Sequence, residues 1–309
     1  MTKVFIDGSA GTTGLRIYER LETRSDIELI KIDEELRKDP AERAKALNSA
    51  DVAFLCLPDA AAVEAVGMIT NPDTCVIDTS TAHRTAEGWT YGFAEIAGYD
   101  AIRNSKRIAN PGCHASGFIA LVAPLIREGI ISKDAKLSAF SLTGYSGGGK
   151  KMIAGYEGEN RDPLYSAPRL YGLTQKHKHL PEMKALCGLS FAPVFCPIVD
   201  DYYSGMEVSV PLFGDDVNGT IKDIEEVYSA YYNNGSGLVR FVKEAGEEGF
   251  MSAGAFSGRD DMEVSVAGND ERILLVSRFD NLGKGASGAA IQNLNIVMGT
   301  EETAGLVTG

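Results

Sequence analysis

No uninterrupted apolar stretch of this chain approaches the ~20 residues needed to cross a bilayer, so no membrane association is expected. The N-terminus has no apolar core followed by a small-residue cleavage site. Met1-Thr2-Lys3-Val4-Phe5-Ile6 runs directly into a strand pattern, and a cytoplasmic protein is expected. Cations are in short supply: 30 Lys and Arg face 43 Asp and Glu, for a net charge of −13. That balance argues against a general nucleic-acid binder, which displaces phosphate counterions with clustered Lys and Arg. It leaves room for a small anionic ligand held by one local group of donors. The five cysteines (Cys56, Cys75, Cys113, Cys187, Cys196) are odd in number and show no close pairing pattern, so a reduced protein without a disulfide framework is expected. CxxC and HExxH are missing as well, so the pair His177-x-His179 is expected to hold no metal. Internal repeats and low-complexity segments are absent.

What is present is an ordinary globular composition, 44% hydrophobic and 24% charged over 309 residues, enough for two domains or one large domain with an insertion. The first 80 residues alternate short apolar runs with helical periodicity. Val4 to Ile6, Ile27 to Ile32, Val52 to Leu57 and Cys75 to Asp78 read as strands, separated by helices at Leu15 to Leu21, Pro40 to Ala50 and Ala60 to Ile69. That alternation implies right-handed crossovers and a parallel sheet. From about Leu137 the pattern becomes α+β. Strands over Ala192 to Ile198, Met206 to Leu212, Met262 to Ala267 and Ile273 to Phe279 accompany a helix near Ile221 to Tyr232, and the apolar tail Gly285 to Met298 is expected to be helical.

Three segments carry chemistry. Gly8-Ser9-Ala10-Gly11-Thr12-Thr13-Gly14 joins the first strand to the first helix. Glycines there permit a tight turn and close backbone approach, and the helix start then faces a pyrophosphate; the bland alternative is a simple strand-to-helix turn. Asp33 ends the second expected strand, where an acid binds the ribose of NAD, whereas Arg37 and Lys38 just beyond it suit a 2′-phosphate; all three also read as solvated loop charges. Next, Asn110-Pro111-Gly112-Cys113-His114-Ala115-Ser116-Gly117 launches a helix with Cys113 at its mouth. The positive end of the helix dipole there favours a reactive thiolate, while Cys56 and Cys75 in apolar strands read as buried thiols. A thiolate nucleophile needs a proton-transfer partner. His114 adjoins Cys113 in sequence, which directs its side chain elsewhere. His177 and His179 share one face of what reads as an extended stretch, and Pro181 opens a helix with Glu182 in its first turn. Lastly, Gly144-Tyr145-Ser146-Gly147-Gly148-Gly149-Lys150 imitates a phosphate loop, but Lys151 stands where the magnesium-binding Ser or Thr belongs. It is read as an anion loop or a flexible connector.

A dinucleotide turn, a helix-opening cysteine and a later histidine suggest reduction of an activated acyl group through a thioester. From end to end the chain resembles the N-acetyl-γ-glutamyl-phosphate reductases of arginine biosynthesis, in their shorter type, within the aspartate-semialdehyde dehydrogenase-like group. The residues carrying this are Gly8 to Gly14, Ser80-Thr81-Ala82-His83-Arg84, Asn110 to Cys113, Gly144 to Lys150, His177 to Glu182 and Asn281-Leu282-Gly283-Lys284-Gly285-Ala286-Ser287-Gly288-Ala289-Ala290. One departure is plain: His114-Ala115-Ser116 stands where the family has Tyr-Pro-Thr.

The resemblance implies a Rossmann-type parallel-sheet domain (residues 1–112 with 282–309) holding an inserted α+β domain (113–281), with the C-terminal helix returning to the first. It implies NADP as cofactor, which favours Arg37 and Lys38 over Asp33, and an acyl-phosphate substrate. It assigns Cys113 as nucleophile and His177 as acid/base. Arg84, Asn110, Lys150, Tyr171 and Glu182 would contact substrate or shape its pocket. The Gly8 to Gly14 turn, Leu57, Pro58, Ser80, Lys284 and Gly285 would meet the cofactor. A homo-oligomer, dimer or tetramer, is expected. Aspartate-semialdehyde dehydrogenase, which shares the Cys–His chemistry, is the competing enzyme, and a catalytically silent dinucleotide-binding regulator is the competing class.

Overall fold

The computed structural model describes all 309 residues, which form two compact units: Met1–Pro111 with Ala286–Leu306, and Gly112–Gly285 with Val307–Gly309. The first begins with β1 (Thr2–Asp7), α1 (Thr12–Leu21), β2 (Ile27–Ile30), α2 (Pro40–Ser49), β3 (Val52–Leu55), α3 (Asp59–Gly67) and β4 (Cys75–Asp78). It continues through β5 (Thr90–Tyr91), α4 (Ala94–Ala97), α5 (Tyr99–Arg103) and β6 (Arg107–Ala109). The six strands make one sheet in the order β2-β1-β3-β4-β6-β5, with every pairing parallel.

Both faces of this sheet are covered, which is why its strands read as unbroken apolar runs and not as alternating ones. Val4, Ile6, Phe54 and Ile77 pack against Ile17 and Leu21 of α1 and against Ile291 and Leu294 from the end of the chain. Phe5, Ala53, Leu55 and Val76 pack on the other side against Leu47 of α2 and Ala62 and Ala65 of α3. Pro40 opens α2 behind Asp39, whose carboxylate accepts the Ala41 and Glu42 amides at 2.9 and 3.0 Å.

The second unit opens with α6 (Cys113–Arg127) and β7 (Ser138–Gly144), then α7 (Gly149–Glu157), β8 (Arg169–Leu170) and α8 (Leu180–Cys187). After these come β9 (Val194–Asp200), β10 (Met206–Phe213), α9 (Ile221–Tyr232), β11 (Val239–Phe241), β12 (Met262–Asn269) and β13 (Arg272–Phe279). Its mixed sheet runs β11-β12-β13-β10-β7-β9-β8. Helix α6 is apolar all round and buried from His114 to Leu125. Gly117 lets it lie close to the sheet, since a side chain there would run into Val208 and Ser277. Tyr228 and Tyr232 of α9 donate to the Leu121 and Ala120 carbonyls, tying the two helices together. On part of the opposite face of the sheet Phe140, Leu170, Val194, Phe213 and Leu274 are exposed.

The last helix, α10 (Gly288–Met298), belongs to the first unit, where Ile291 and Leu294 complete the core. Before it, Gly283–Ser287 winds as a π-turn, so the α-helix starts later than the apolar tail suggests. No helix is long and apolar enough to cross a membrane.

Candidate active site

Beyond β1 the chain reverses through Gly8, whose φ of +89° is a left-handed conformation suited to glycine. A side chain at Gly8 would collide with the Cys56 carbonyl, and one at Gly14 with the Gly8 carbonyl. The turn is thereby pressed against the end of β3, and Thr12 and Thr13 begin α1 just after it. Beside it lies a cleft of about 730 Å³ lined by Gly8, Ser9, Ala10, Gly11, Arg37, Lys38, Leu57 and Pro58, all expected cofactor residues. Thr12, Thr13 and Gly14 support the turn from behind and do not line the cleft.

Among the further lining residues are Lys31, Asp7 and Arg43, which the sequence did not mark as cofactor residues. Lys31 immediately follows β2, because that strand stops at Ile30, short of the expected Ile32. Asp33 consequently sits exposed beyond the strand and outside the cleft lining. A basic residue thus stands at the strand end where an acid would bind a ribose diol. Arg37 pairs with Glu34 on the surface. Arg43 reaches Asp7 through Nε (3.1 Å) and Nη2 (2.9 Å), and both residues are buried. Burial raises the Asp7 pKa, while Arg43 pulls against the rise.

Ser80 is buried and donates to Asp78 Oδ2 at 2.7 Å, away from the cleft lining. The same oxygen takes His83 Nδ1 at 2.6 Å, and the His83 ring stacks on Trp89 with centroids 4.0 Å apart. Thr81 is held by Asp59 at the start of α3 through its amide and its hydroxyl. Arg84 is thereby fixed at the end of a braced loop, donating to the Asn110 and Thr79 carbonyls at 3.0 and 3.3 Å. Asn110 itself is buried, donating to the Ala286 carbonyl at 3.0 Å.

In the second unit Cys113 is the first residue of α6, half-buried, with Gly112 as N-cap and no acidic residue in the first turn. The dipole therefore favours a thiolate at Sγ. Buried Glu182 opposes it locally: its carboxylate accepts the Gly112 N–H at 3.1 Å and so fixes the turn that carries the cysteine. Gly285 closes in from the other end of the unit, where an added Cβ would lie 2.9 Å from that of Cys113. Lys284 beside it is buried. Three of the other thiols are raised. Burial pushes Cys56 up to about 12 and Cys75 up to about 11, and it raises Cys187 as well.

His114, next to Cys113, turns into the protein interior. Its Nδ1 meets Ser141 Oγ at 2.7 Å and its Nε2 meets Tyr171 OH at 2.6 Å. Burial, with the nearby His177 and Lys178, holds its pKa down to about 3, so the ring is neutral. Burial also raises the Tyr171 phenol, and the Cys113 charge raises it further, which places Tyr171 within electrostatic reach of Cys113. The ring of His177 stands edge-on to His114 at 5.5 Å between centroids, to His179 at 4.7 Å and to Phe195 at 5.1 Å.

The segment bearing these histidines is not extended. Leu180 N donates to His177 O, and His179 is helical at the N-cap of α8, so the two imidazoles belong to a turn. His179 makes no side-chain cap bond to α8. Its amide donates to His177 Nδ1 at 3.2 Å. That assigns the neutral His177 proton to Nε2, leaving an N–H donor on the opposite side of the ring.

The glycine-rich loop before Lys150 forms a 3₁₀ turn over Tyr145–Gly148. The amides of Gly144, Tyr145 and Ser146 already donate to the carbonyls of Gly205, Tyr202 and Tyr203. Asn281 locks the loop by donating to Ser146 Oγ at 3.0 Å and accepting the Gly205 amide at 2.9 Å. An anion here would depend on the remaining amides or on exposed Lys150 at the start of α7.

Family comparison defines the class first. Residues 9–105 match the NAD-binding domain of semialdehyde dehydrogenases, and residues 113–281 match their dimerisation domain. Aspartate semialdehyde dehydrogenase II of Vibrio cholerae superposes with a TM-score of 0.71 at 15% identity, covering 96% of this chain and 98% of that one. Within this class, a protein of Nostoc sp. named N-acetyl-gamma-glutamyl-phosphate reductase 2 is 44% identical, with 98% of this chain and 99% of that protein aligned. A like-named enzyme of Pseudomonas putida is 42% identical, with 98% of each chain covered. The chain belongs to the N-acetyl-γ-glutamyl-phosphate reductase family.

Proposed function

We propose that the protein reduces N-acetyl-γ-glutamyl phosphate to N-acetylglutamate semialdehyde and phosphate with NADPH, through a thioester on Cys113, as a step of arginine biosynthesis. The observation that carries this reading is the gathering of Cys113, Tyr171 and His177 at the mouth of α6 in a chain of this family. In this reading the first unit, extended to 112 and from 282, is the cofactor domain, and 113–281 carries the chemistry.

The cleft beside Gly8 fits a dinucleotide phosphate: its glycines keep side chains out of the backbone's way, and Lys31, Arg37 and Lys38 supply charge for a 2′-phosphate. Bound NADPH supplies the hydride that reduces the thioester. Cys113 as thiolate attacks the acyl carbon, and the carbon–oxygen bond to phosphate breaks to release inorganic phosphate. His177 acts as the acid by donating its Nε2–H hydrogen bond to the tetrahedral oxyanion formed on reduction, and collapse of that oxyanion breaks the carbon–sulfur bond, releases the aldehyde and restores the thiolate. Arg84 and Lys150 are assigned to phosphate and carboxylate contacts, Asn110 to holding Arg84, and Tyr171 and Glu182 to the wall and frame of the pocket. Lys284, Gly285 and Ser80 are assigned to the cofactor side. The enzyme acts in the cytoplasm as a homo-oligomer, a reading supported by the exposed apolar part of the sheet face around Phe140 and Val194.

The deciding experiment runs the reaction backwards with NADP and phosphate, on N-acetylglutamate semialdehyde and on aspartate semialdehyde. Faster turnover of the acetylated substrate supports the proposal, and preference for aspartate semialdehyde defeats it.

A further inference from the structure

Between Tyr171 and His179 the chain makes a compact turn, and its backbone adopts two left-handed residues. Gly172 (φ +66°) is one, and Gln175 (φ +55°) is the other. Glutamine gains nothing from that conformation on its own, and a non-glycine residue there marks a backbone held by its surroundings. What holds it is the side chain. Gln175 Nε2 donates to the Phe195 carbonyl at 2.7 Å, and Gln175 Oε1 accepts the Phe195 amide at 2.9 Å. Strand β8 pairs with β9 only at Val199 and Ile198, so at Phe195 the glutamine amide takes the place of a neighbouring strand on that edge. The buried Phe195 ring in turn lies edge-on to His177 at 5.1 Å and to His114 at 5.3 Å.

We propose that Gln175 is a positioning residue whose carboxamide clamps the turn to β9 and so sets the His177 ring against Phe195. The inference rests on the reading of His177 as the proton-transfer group. Gln175 touches neither substrate nor cofactor in this role. Its loss should therefore act on turnover while leaving binding intact.

The test compares Gln175→Ala, Gln175→Glu and the parent by kcat and KM from pH 5 to 9, with Tm measured alongside. Gln175→Ala should lower kcat about tenfold at every pH, with KM for both substrates within twofold of the parent. Gln175→Glu keeps an acceptor for the Phe195 amide, but when ionised it has no proton for the carbonyl. Its kcat should therefore climb back toward the parent as the pH falls and the carboxyl protonates, an effect that a merely structural role would not produce. If Gln175→Ala does not fold, Gln175→Gly removes the same clamp while suiting the left-handed backbone, and should show the same kcat loss. In a His177→Asn background, Gln175→Ala should change kcat no further. Parent-like kcat in Gln175→Ala beside a crippled His177→Asn overturns the clamp alone. Parent-like kcat in His177→Asn overturns the reading of His177, and the clamp with it.

Discussion

Acid should destabilise this protein through His114, and the variant His114→Gln should remove that part of the sensitivity. The ring lies 3% exposed between Ser141 and Tyr171, with its pKa held at about 3 by burial against an ordinary 6.5. The unfolded chain accepts a proton that folded His114 refuses. The neutral ring's contribution is therefore complete above pH 6.5 and is lost as the pH falls from there toward 3. At ~1.4 kcal/mol per unit, the loss between pH 7.5 and pH 5 from this one group is about 2 kcal/mol, or roughly 3 °C in Tm for a chain of this length. A glutamine in its place carries no titrating group, so the variant should start less stable at pH 7.5 but lose less on acidification. The assay is calorimetric Tm for both proteins across that range, in which the other ionisable groups are common to the pair. Parallel curves would refute the argument, because they would mean that His114 takes up its proton as readily in the folded protein as in the unfolded chain.

Three further outcomes follow from the two candidate regions. Replacing Lys31, Arg37 and Lys38 with Ala should raise KM for NADPH by roughly tenfold or more and leave NADH kinetics nearly unmoved; equal effects on both would place the 2′-phosphate elsewhere. Cys113→Ser should retain NADPH binding, measured by fluorescence titration, yet lose reduction, since a serine hydroxyl is not ionised near neutral pH; activity within about tenfold of the parent, ~1.4 kcal/mol in barrier, would sink the thioester route. His177→Asn should lower kcat by roughly 10²–10⁴ and abolish the pH–rate limb in the histidine range, whereas His179→Asn should keep that limb and lose Tm; the reverse pattern would exchange their roles.

Local patterns carried much of this architecture. The run Cys75 to Asp78 and the helix Ile221–Tyr232 stand where the periodicity places them, the latter because Thr220 and Asp223 form a capping box that marks its start. The cysteine at the helix mouth was equally readable, since Pro111 and Gly112 interrupt regular structure and the apolar helical spacing follows at once. The turn at His177 was not. Its shape comes from Gln175 bonding to a strand residue 20 positions away, and polar-apolar alternation carries no trace of that. Likewise Asp7 and Arg43 lie 36 residues apart, and only the packing of α2 against β1 brings them together. The partners of His114 were hidden for a similar reason. Helix α6 is buried from His114 to Leu125, so every side chain there meets the interior, and which partners it meets is set by distant segments.

The pairing of Arg43 with Asp7 also decides how a charged cofactor meets this molecule. The chain as a whole is strongly anionic and repels a dinucleotide phosphate at long range, yet Lys31, Arg37, Lys38 and Arg43 outnumber Asp7 and Glu34 along the cleft. With Asp7 paired from within by Arg43, no bare carboxylate stands at the foot of the glycine turn. Repulsion far out and attraction close in respond differently to salt. At ~0.1 M ionic strength charges more than about 10 Å apart are largely screened, so added salt relieves the approach before it loosens the grip. Association with the cofactor should thus quicken over the first increments of salt, the opposite of what a uniformly basic binding protein shows.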